Sequence, residues 1–300
     1  MRLEGERESR NIEDRRGAGG FRGRGGLPIG IAGGGIGGVV LVVLALLFGV
    51  DPSVILSGGG GGAPPGPYRE APSAQYAPAP EAQPGGQDDL RRFVAQVLAT
   101  TEDAWSGIFR SNDRRYDPPS LVLFTGQVQS ACGIAGAAVG PFYCPLDRKV
   151  YLDLAFFRDM ERKLGASGDF AQAYVIAHEV GHHVQNQLGI LQRVDGLRRQ
   201  LGPEEGNALQ VRVELQADCF AGVWANRANA ARGILERGDI EEGLNAAAAV
   251  GDDRLQRRGQ GYVVPESFTH GSSAQRVRWF RHGLETGDVR TCDTFDADRL

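Results

Sequence analysis

The residues best equipped for chemistry stand in AYVIAHEVGHHVQNQLG, Ala173 to Gly189, where three of the chain's five histidines fall within six positions around one glutamate. His178 and His182 are four apart, so on a helix of about 3.6 residues per turn they lie roughly 40° apart on one face and can share a metal ion. Zinc suits two imidazoles because it accepts nitrogen ligands in a tetrahedron and can keep one corner for water. Glu179 flanks that face, where a carboxylate can take a proton from the attacking water. His183 points about 100° away from His182 and reads as a packing or hydrogen-bonded residue. The competing reading is a crowded piece of helix, but with histidine this scarce an accidental H-E-x-x-H is rare.

A hydrolytic zinc needs a third protein ligand. The extended form H-E-x-x-H-x-x-G-x-x-H fails, because Gln185 and Leu188 stand where its Gly and His would be. Of the eight glutamates after His182, only Glu214 has an Asp four residues on, in VELQAD. Glu214 is therefore the candidate ligand, with Asp218 reaching behind a zinc histidine to fix its tautomer and orientation. A solvated acidic pair is the bland alternative, although like charges four apart mildly destabilise a helix.

These side chains need a rigid frame, and the sequence from Asp88 onward can supply one. DDLRRFVAQVLATTEDAWSGIFR has apolar residues near helical spacing and predicts one or two amphipathic helices. SLVLFTG, GPFYCP and KVYLDL read as short strands, the last two forming a hairpin around PLDR. Asp169 with Gln172 marks the start of the histidine-bearing helix and Gly189 its end. A second long helix is expected over 204–229, another from Asp239 with Glu242, and a last one from Ser272 with Gln275 to Gly287. One helix, a small sheet and then several helices, without alternating βα units or internal repeats, make an α+β domain over residues 88–300.

The chain before it reads differently. Residues 1–26 carry seven arginines against five acids, and the 24 uncharged residues from Leu27 to Val50 are long enough to span a bilayer as a helix. No A-x-A-like cleavage site follows, so an uncleaved anchor is the expectation over a signal peptide. The arginines precede the span, which puts residues 1–26 in the cytoplasm and the domain in the periplasm or outside the cell. Glycines four apart, Gly30, Gly34 and Gly38, would let two such helices approach in a homodimer, although glycine is common in membrane helices anyway. Residues 51–87 form a Gly/Pro-rich tether, with 15 of the 31 residues from Ser57 to Gln87 being Gly or Pro.

A net charge of −4 and the lack of a basic stripe in the domain argue against nucleic-acid binding. The four cysteines, Cys132, Cys144, Cys219 and Cys292, form no C-x-x-C, so a cysteine zinc site is not expected. An even count in an exported domain implies disulfides, and sequence alone leaves three connectivities open. The nearness of Cys132 and Cys144 to the hairpin favours pairing them and leaves Cys219 with Cys292.

HEVGH with ELQAD resembles the gluzincin side of the zincin metallopeptidases. RESRNIEDRRG, CGIAGAAVGPFYCPLDRKVYLDL, AHEVGHHVQ, ELQADCFAGVWA and SFTHGSSAQRVRWF together resemble the bacterial neutral zinc metallopeptidase family, the YpfJ-like proteins, over nearly all of the chain except the tether. That resemblance implies a zincin-like fold, one zinc ion per chain and a peptide or protein substrate. THGSSAQRV is also similar to the T-H-P-x-x-x-x-R-I/V segment of membrane gluzincins of the CAAX-protease type. By that match His270 would donate to the oxyanion of the tetrahedral intermediate, and Arg276 would orient nearby groups or substrate. Tyr262 is the rival donor, and His282, near a helix end, reads as a contact with the helix dipole. The expectation is a membrane-anchored zinc endopeptidase that binds substrate as an added strand on GPFYCP or KVYLDL. The alternatives are a catalytically silent envelope binding or assembly module with a structural zinc, and an envelope scaffold whose metal site is incidental.

Overall fold

The computed structural model describes residues 1–17 and 84–300. The expected span over 27–50 and most of the tether lie outside the described residues, among which no helix is long and apolar enough to cross a membrane. The described chain is α+β, with six strands and eight α-helices.

Four strands form the main sheet: β1 (Ile12–Asp14), β2 (Ser120–Phe124), β5 (Phe142–Cys144) and β6 (Lys149–Asp153), in the order β1-β2-β6-β5. β3 (Gln127–Ser130) and β4 (Gly133–Gly136) form a separate antiparallel hairpin that the sequence reading does not anticipate. β5 runs antiparallel to β6, as expected of the PLDR hairpin, but β1–β2 and β2–β6 are parallel. KVYLDL is thus an interior strand, hydrogen-bonded on both sides, and offers no free edge. GPFYCP keeps one.

β2 is an unbroken apolar run because both of its faces are covered. Leu121 and Leu123 enter the main core, whereas Val122 and Phe124 pack with Val128 and Tyr151 under the hairpin. The helices are α1 (Pro84–Arg110), α2 (Ala155–Asp159), α3 (Asp169–Gln187), α4 (Ile190–Arg198), α5 (Pro203–Arg232), α6 (Asp239–Ala249), α7 (Asp252–Gln260) and α8 (Ser273–Thr286). α1 is one helix that begins four residues before Asp88, and it turns Val94, Val97, Leu98 and Trp105 into the core. Asp169 is the first residue of α3 rather than its cap, which is Gly168. The Ser272–Gln275 capping box and the left-handed Gly287 bound α8 as expected.

Three glycines set how closely the site-bearing helices approach. A Cβ at Gly181 of α3 would lie 3.0 Å from the Ala217 carbonyl oxygen of α5, and one at Gly283 of α8 would overlap the Cys219 carbonyl of α5. At Gly222 of α5 a Cβ would run into the Phe280 carbonyl of α8. With hydrogen in place of a side chain, α3 and α8 both lie close against α5. Disulfides join Cys132 to Cys144, tying the hairpin to β5, and Cys219 to Cys292, tying the C-terminal segment to α5.

Candidate active site

α3 and α5 face each other across the contact at Gly181, and their facing side chains are His178, His182 and Glu214. The potential ligand atoms of these three residues all lie within 4.8 Å of one another. His178 Nε2 is 3.2 Å and His182 Nε2 3.5 Å from Glu214 Oε2. Two atoms bound at about 2.1 Å to a tetrahedral zinc stand about 3.4 Å apart, so the donor set and its spacing fit that ion.

Each of the three is held from behind. His178 Nδ1 donates to Asp218 Oδ1 at 2.9 Å, which leaves Nε2 facing Glu214. His182 Nδ1 donates to Gln185 Oε1 at 2.9 Å, and the Gln185 amide in turn donates to the Val213 carbonyl and to Gln216. Glu214 Oε1 accepts from Gln210 at 3.0 Å. The same Gln185 that rules out the extended zinc motif therefore orients His182, a role carried by no motif and visible only once α5 is in place.

Asp218 is fully buried and accepts four contacts. Tyr174 OH donates to Oδ1 at 2.5 Å, His178 meets the same oxygen, and Arg276 grips both oxygens through Nε and Nη2 at 2.8 and 2.9 Å. Burial alone would raise the Asp218 carboxyl's pKa, but Arg276 and His178 outweigh it and hold the group below the usual carboxylate range. Burial alone would lower the pKa of His178, yet Asp218 and Glu214 push it up to about 9 in the metal-free site. Glu214, for which burial again works the other way, is held well below its usual range by His182 and His178. Arg276 is 3% exposed and its guanidinium hydrogen-bonds Asp218 and Tyr174, so it orients groups around His178.

Glu179 is 8% exposed, and none of the described residues hydrogen-bonds its carboxylate. Burial raises its pKa against the pull of His182 and His178. A carboxyl in that position is a stronger base than a solvated one and keeps both oxygens available to water.

His270 sits in the loop before α8, 8% exposed and within electrostatic reach of Glu214. Asp252, the first residue of α7, holds that loop. Its Oδ2 accepts the backbone N–H groups of Thr269, His270 and Gly271 at 2.7, 2.6 and 3.1 Å, while Oδ1 lies 3.2 Å from His270 Nδ1. Burial would lower the pKa of His270, but Asp252 and then Glu214 raise it, favouring the protonated donor form. Asp252 is not among the residues that motif and spacing single out. An Asp one residue after Gly251, opening a short helix, is the local signal that could have drawn attention to it, but nothing local ties it to His270.

Tyr262 is 61% exposed in the loop after α7 and makes no hydrogen bond to any of these residues. His183 is 1% exposed; its Nε2 donates to the Asp117 carbonyl at 2.7 Å and its Nδ1 accepts from Tyr143 at 3.1 Å, so it is a packing residue as read. Burial lowers its pKa to about 4. His282 meets Trp279 edge-on within α8.

Residues 1–295 match the family described as "Putative neutral zinc metallopeptidase". The chain is 46% identical over 302 residues to "Uncharacterized protein YpfJ" of Escherichia coli (strain K12), covering 98% of this chain and 99% of that protein. It is 42% identical over 268 residues to "Uncharacterized protein Rv2575" of Mycobacterium tuberculosis (strain ATCC 25618 / H37Rv), covering 85% and 86%. No solved structure matches the chain.

Proposed function

Because the chain belongs to this neutral zinc metallopeptidase family, we propose that it hydrolyses peptide bonds as a gluzincin-type zinc peptidase with a zincin-like fold. His178, His182 and Glu214 would hold one zinc ion, which when bound supplies Lewis acidity toward water and the scissile carbonyl. Glu179 takes a proton from the attacking water and returns it to the leaving amine. His270, whose loop Asp252 holds and whose pKa it raises, donates to the oxygen on which negative charge develops. Asp218, Arg276 and Tyr174 keep His178 in the tautomer that leaves its Nε2 lone pair free. The observation that carries this reading is a converged set of three ligand atoms with an uncommitted buried carboxylate beside it.

The free edge of β5 supports peptide binding as an added strand. β5 is fixed against α3 by Asn186, which donates to Tyr143 OH at 2.8 Å and to the Pro145 carbonyl at 3.2 Å. Peptides N-methylated at alternate backbone amides should be cleaved more slowly than their parents; equal rates would remove β5 from this reading. The two disulfides favour an oxidising compartment for the domain.

The decisive test compares zinc content and cleavage of a peptide library between the wild type and Glu179→Gln. One zinc in each, with the variant slowed by about 10²–10⁴-fold, is the expected result. Equal cleavage profiles would reduce the site to a structural zinc.

A further inference from the structure

By charge, residues 1–26 read as a tail left on the far side of a membrane from the domain. The described part of that tail is instead built into the domain. β1 pairs in parallel with β2 at Ile12↔Leu121, Glu13↔Val122 and Asp14↔Leu123. The ladder continues beyond it, with Leu121 N–H donating to the Asn11 carbonyl at 2.7 Å and Arg15 N–H to the Leu123 carbonyl at 2.8 Å. Without β1, β2 would be the sheet's open edge, an unpaired row of backbone groups beside Leu121 and Leu123, both of which are 0% exposed.

Before the strand, the segment straps the helices together. Leu3 is 6% exposed and belongs to the main core. Arg2 N–H donates to the Ile234 carbonyl after α5, and Ser9 N–H to the Ala95 carbonyl of α1. Glu102 of α1 is 6% exposed; its carboxylate accepts from Ser9 Oγ at 2.5 Å and Asn11 Nδ2 at 2.7 Å, and pairs with Arg7 at 2.9 Å.

Four of the five arginines in residues 1–17 are held in ion pairs, Arg2 with Glu236 among them. Arg7 pairs with Glu102 and Asp103, Arg15 with Glu13, and Arg16 with Asp14, while Lys149 of β6 reaches Glu13 at 2.6 Å. The positive-inside rule counts Lys and Arg in short flanks of a span, whereas folded domains translocate largely regardless of their charge.

We propose that residues 1–17 are a permanent strand and strap of the catalytic domain, lying on the same side of any membrane as the metal site. A single crossing of the bilayer between Arg16 and the domain would tear β1 from β2, and signal-peptide cleavage after residue 50 would delete it. The inference rests on packing around β2 and Glu102 and holds whether or not the site is catalytic.

Single cysteines test it in the full-length chain, because both native cysteine pairs are oxidised and unreactive to maleimide. Arg10→Cys or, as a second position, Glu4→Cys marks the segment; Gln200→Cys marks the domain; all three side chains are exposed. Intact cells and inverted vesicles are treated with a membrane-impermeant maleimide, and the mass of the recovered chain is measured. Labelling of both regions from one face, with loss of both labels together from the other and residues 1–17 present in the mass, is expected. A chain found only in the soluble fraction with residues 1–17 intact agrees equally. Labelling of the two regions from opposite faces, or a folded mature chain lacking residues 1–17, overturns the proposal.

Discussion

Two of the buried carboxylates among the described residues, Asp218 and Glu102, differ in where their partners come from. Asp218 on α5 is held by Tyr174 and His178 of α3 and by Arg276 of α8, three side chains on two long helices that pack on α5 through glycine contacts. Glu102 on α1 is held by Arg7, Ser9 and Asn11, all from one short segment. The first arrangement fixes geometry: with its partners on separate rigid elements, the carboxylate cannot shift without moving a helix, and His178 inherits that rigidity. The second fixes attachment, since its contacts form or are lost together with residues 1–17.

The largest effect that would sharpen this contrast is expected from Asp218→Asn. The substitution leaves Arg276, 3% exposed, without its countercharge, and breaking a buried pair in this way costs about 3–5 kcal/mol. Denaturant unfolding of the metal-free chain should show that loss, and zinc affinity should fall with it because His178 loses its orienting partner. A loss under about 1 kcal/mol would mean that the centre is solvated like a surface ion pair, and the claimed rigidity would fail.

A smaller effect, on the same helix, follows from His183. Its pKa is about 4 in the folded chain against an ordinary value near 6.5. Between those two values the unfolded chain holds a proton that the folded chain refuses, so stability falls as the pH drops from about 6.5 to 4, by about 3 kcal/mol in all. The metal-free chain should show this slope in unfolding midpoints, and His183→Gln should flatten it. An unchanged slope would assign the acid sensitivity to other groups.

The two regions also differ in how well the sequence announces them. His178, Glu179 and His182 lie within one and a half turns of helix, so spacing alone puts the candidate ligands together, and Glu214 with Asp218 is the lone E-x-x-x-D after them. The helix boundaries at Ser272 and Gly287 are legible for the same reason, because caps are local chemistry. Asp252, Gln185 and the buried role of Arg276 are not, since each acts on a group supplied by another element. β1 is the extreme case. Three residues, Ile-Glu-Asp, carry too little pattern to read as a strand, and their pairing with Leu121–Leu123 spans more than a hundred residues. The apolar run between them supplies a strong local signal that points elsewhere.

The smallest expected effect bears on the attachment side of the contrast. Ser9→Ala removes the 2.5 Å hydrogen bond to Glu102 and the one that Ser9 Oγ accepts from the Asn11 N–H, but leaves Arg7 and the Asn11 side chain in place. A hydrogen bond to a buried charged group is worth about 1.5–3 kcal/mol, so a loss near 2 kcal/mol is expected in global unfolding. If residues 1–17 fold with the domain as one unit, the loss appears in the single unfolding transition of the whole chain, and protease sensitivity near Gly17 rises only in step with it. If the segment is a loosely held tail, Ser9→Ala raises cleavage near Gly17 while the domain's midpoint stays put. That second outcome would detach the strap from the fold while leaving the cluster of His178, His182 and Glu214 as described, because none of these residues touches Ser9 or Glu102.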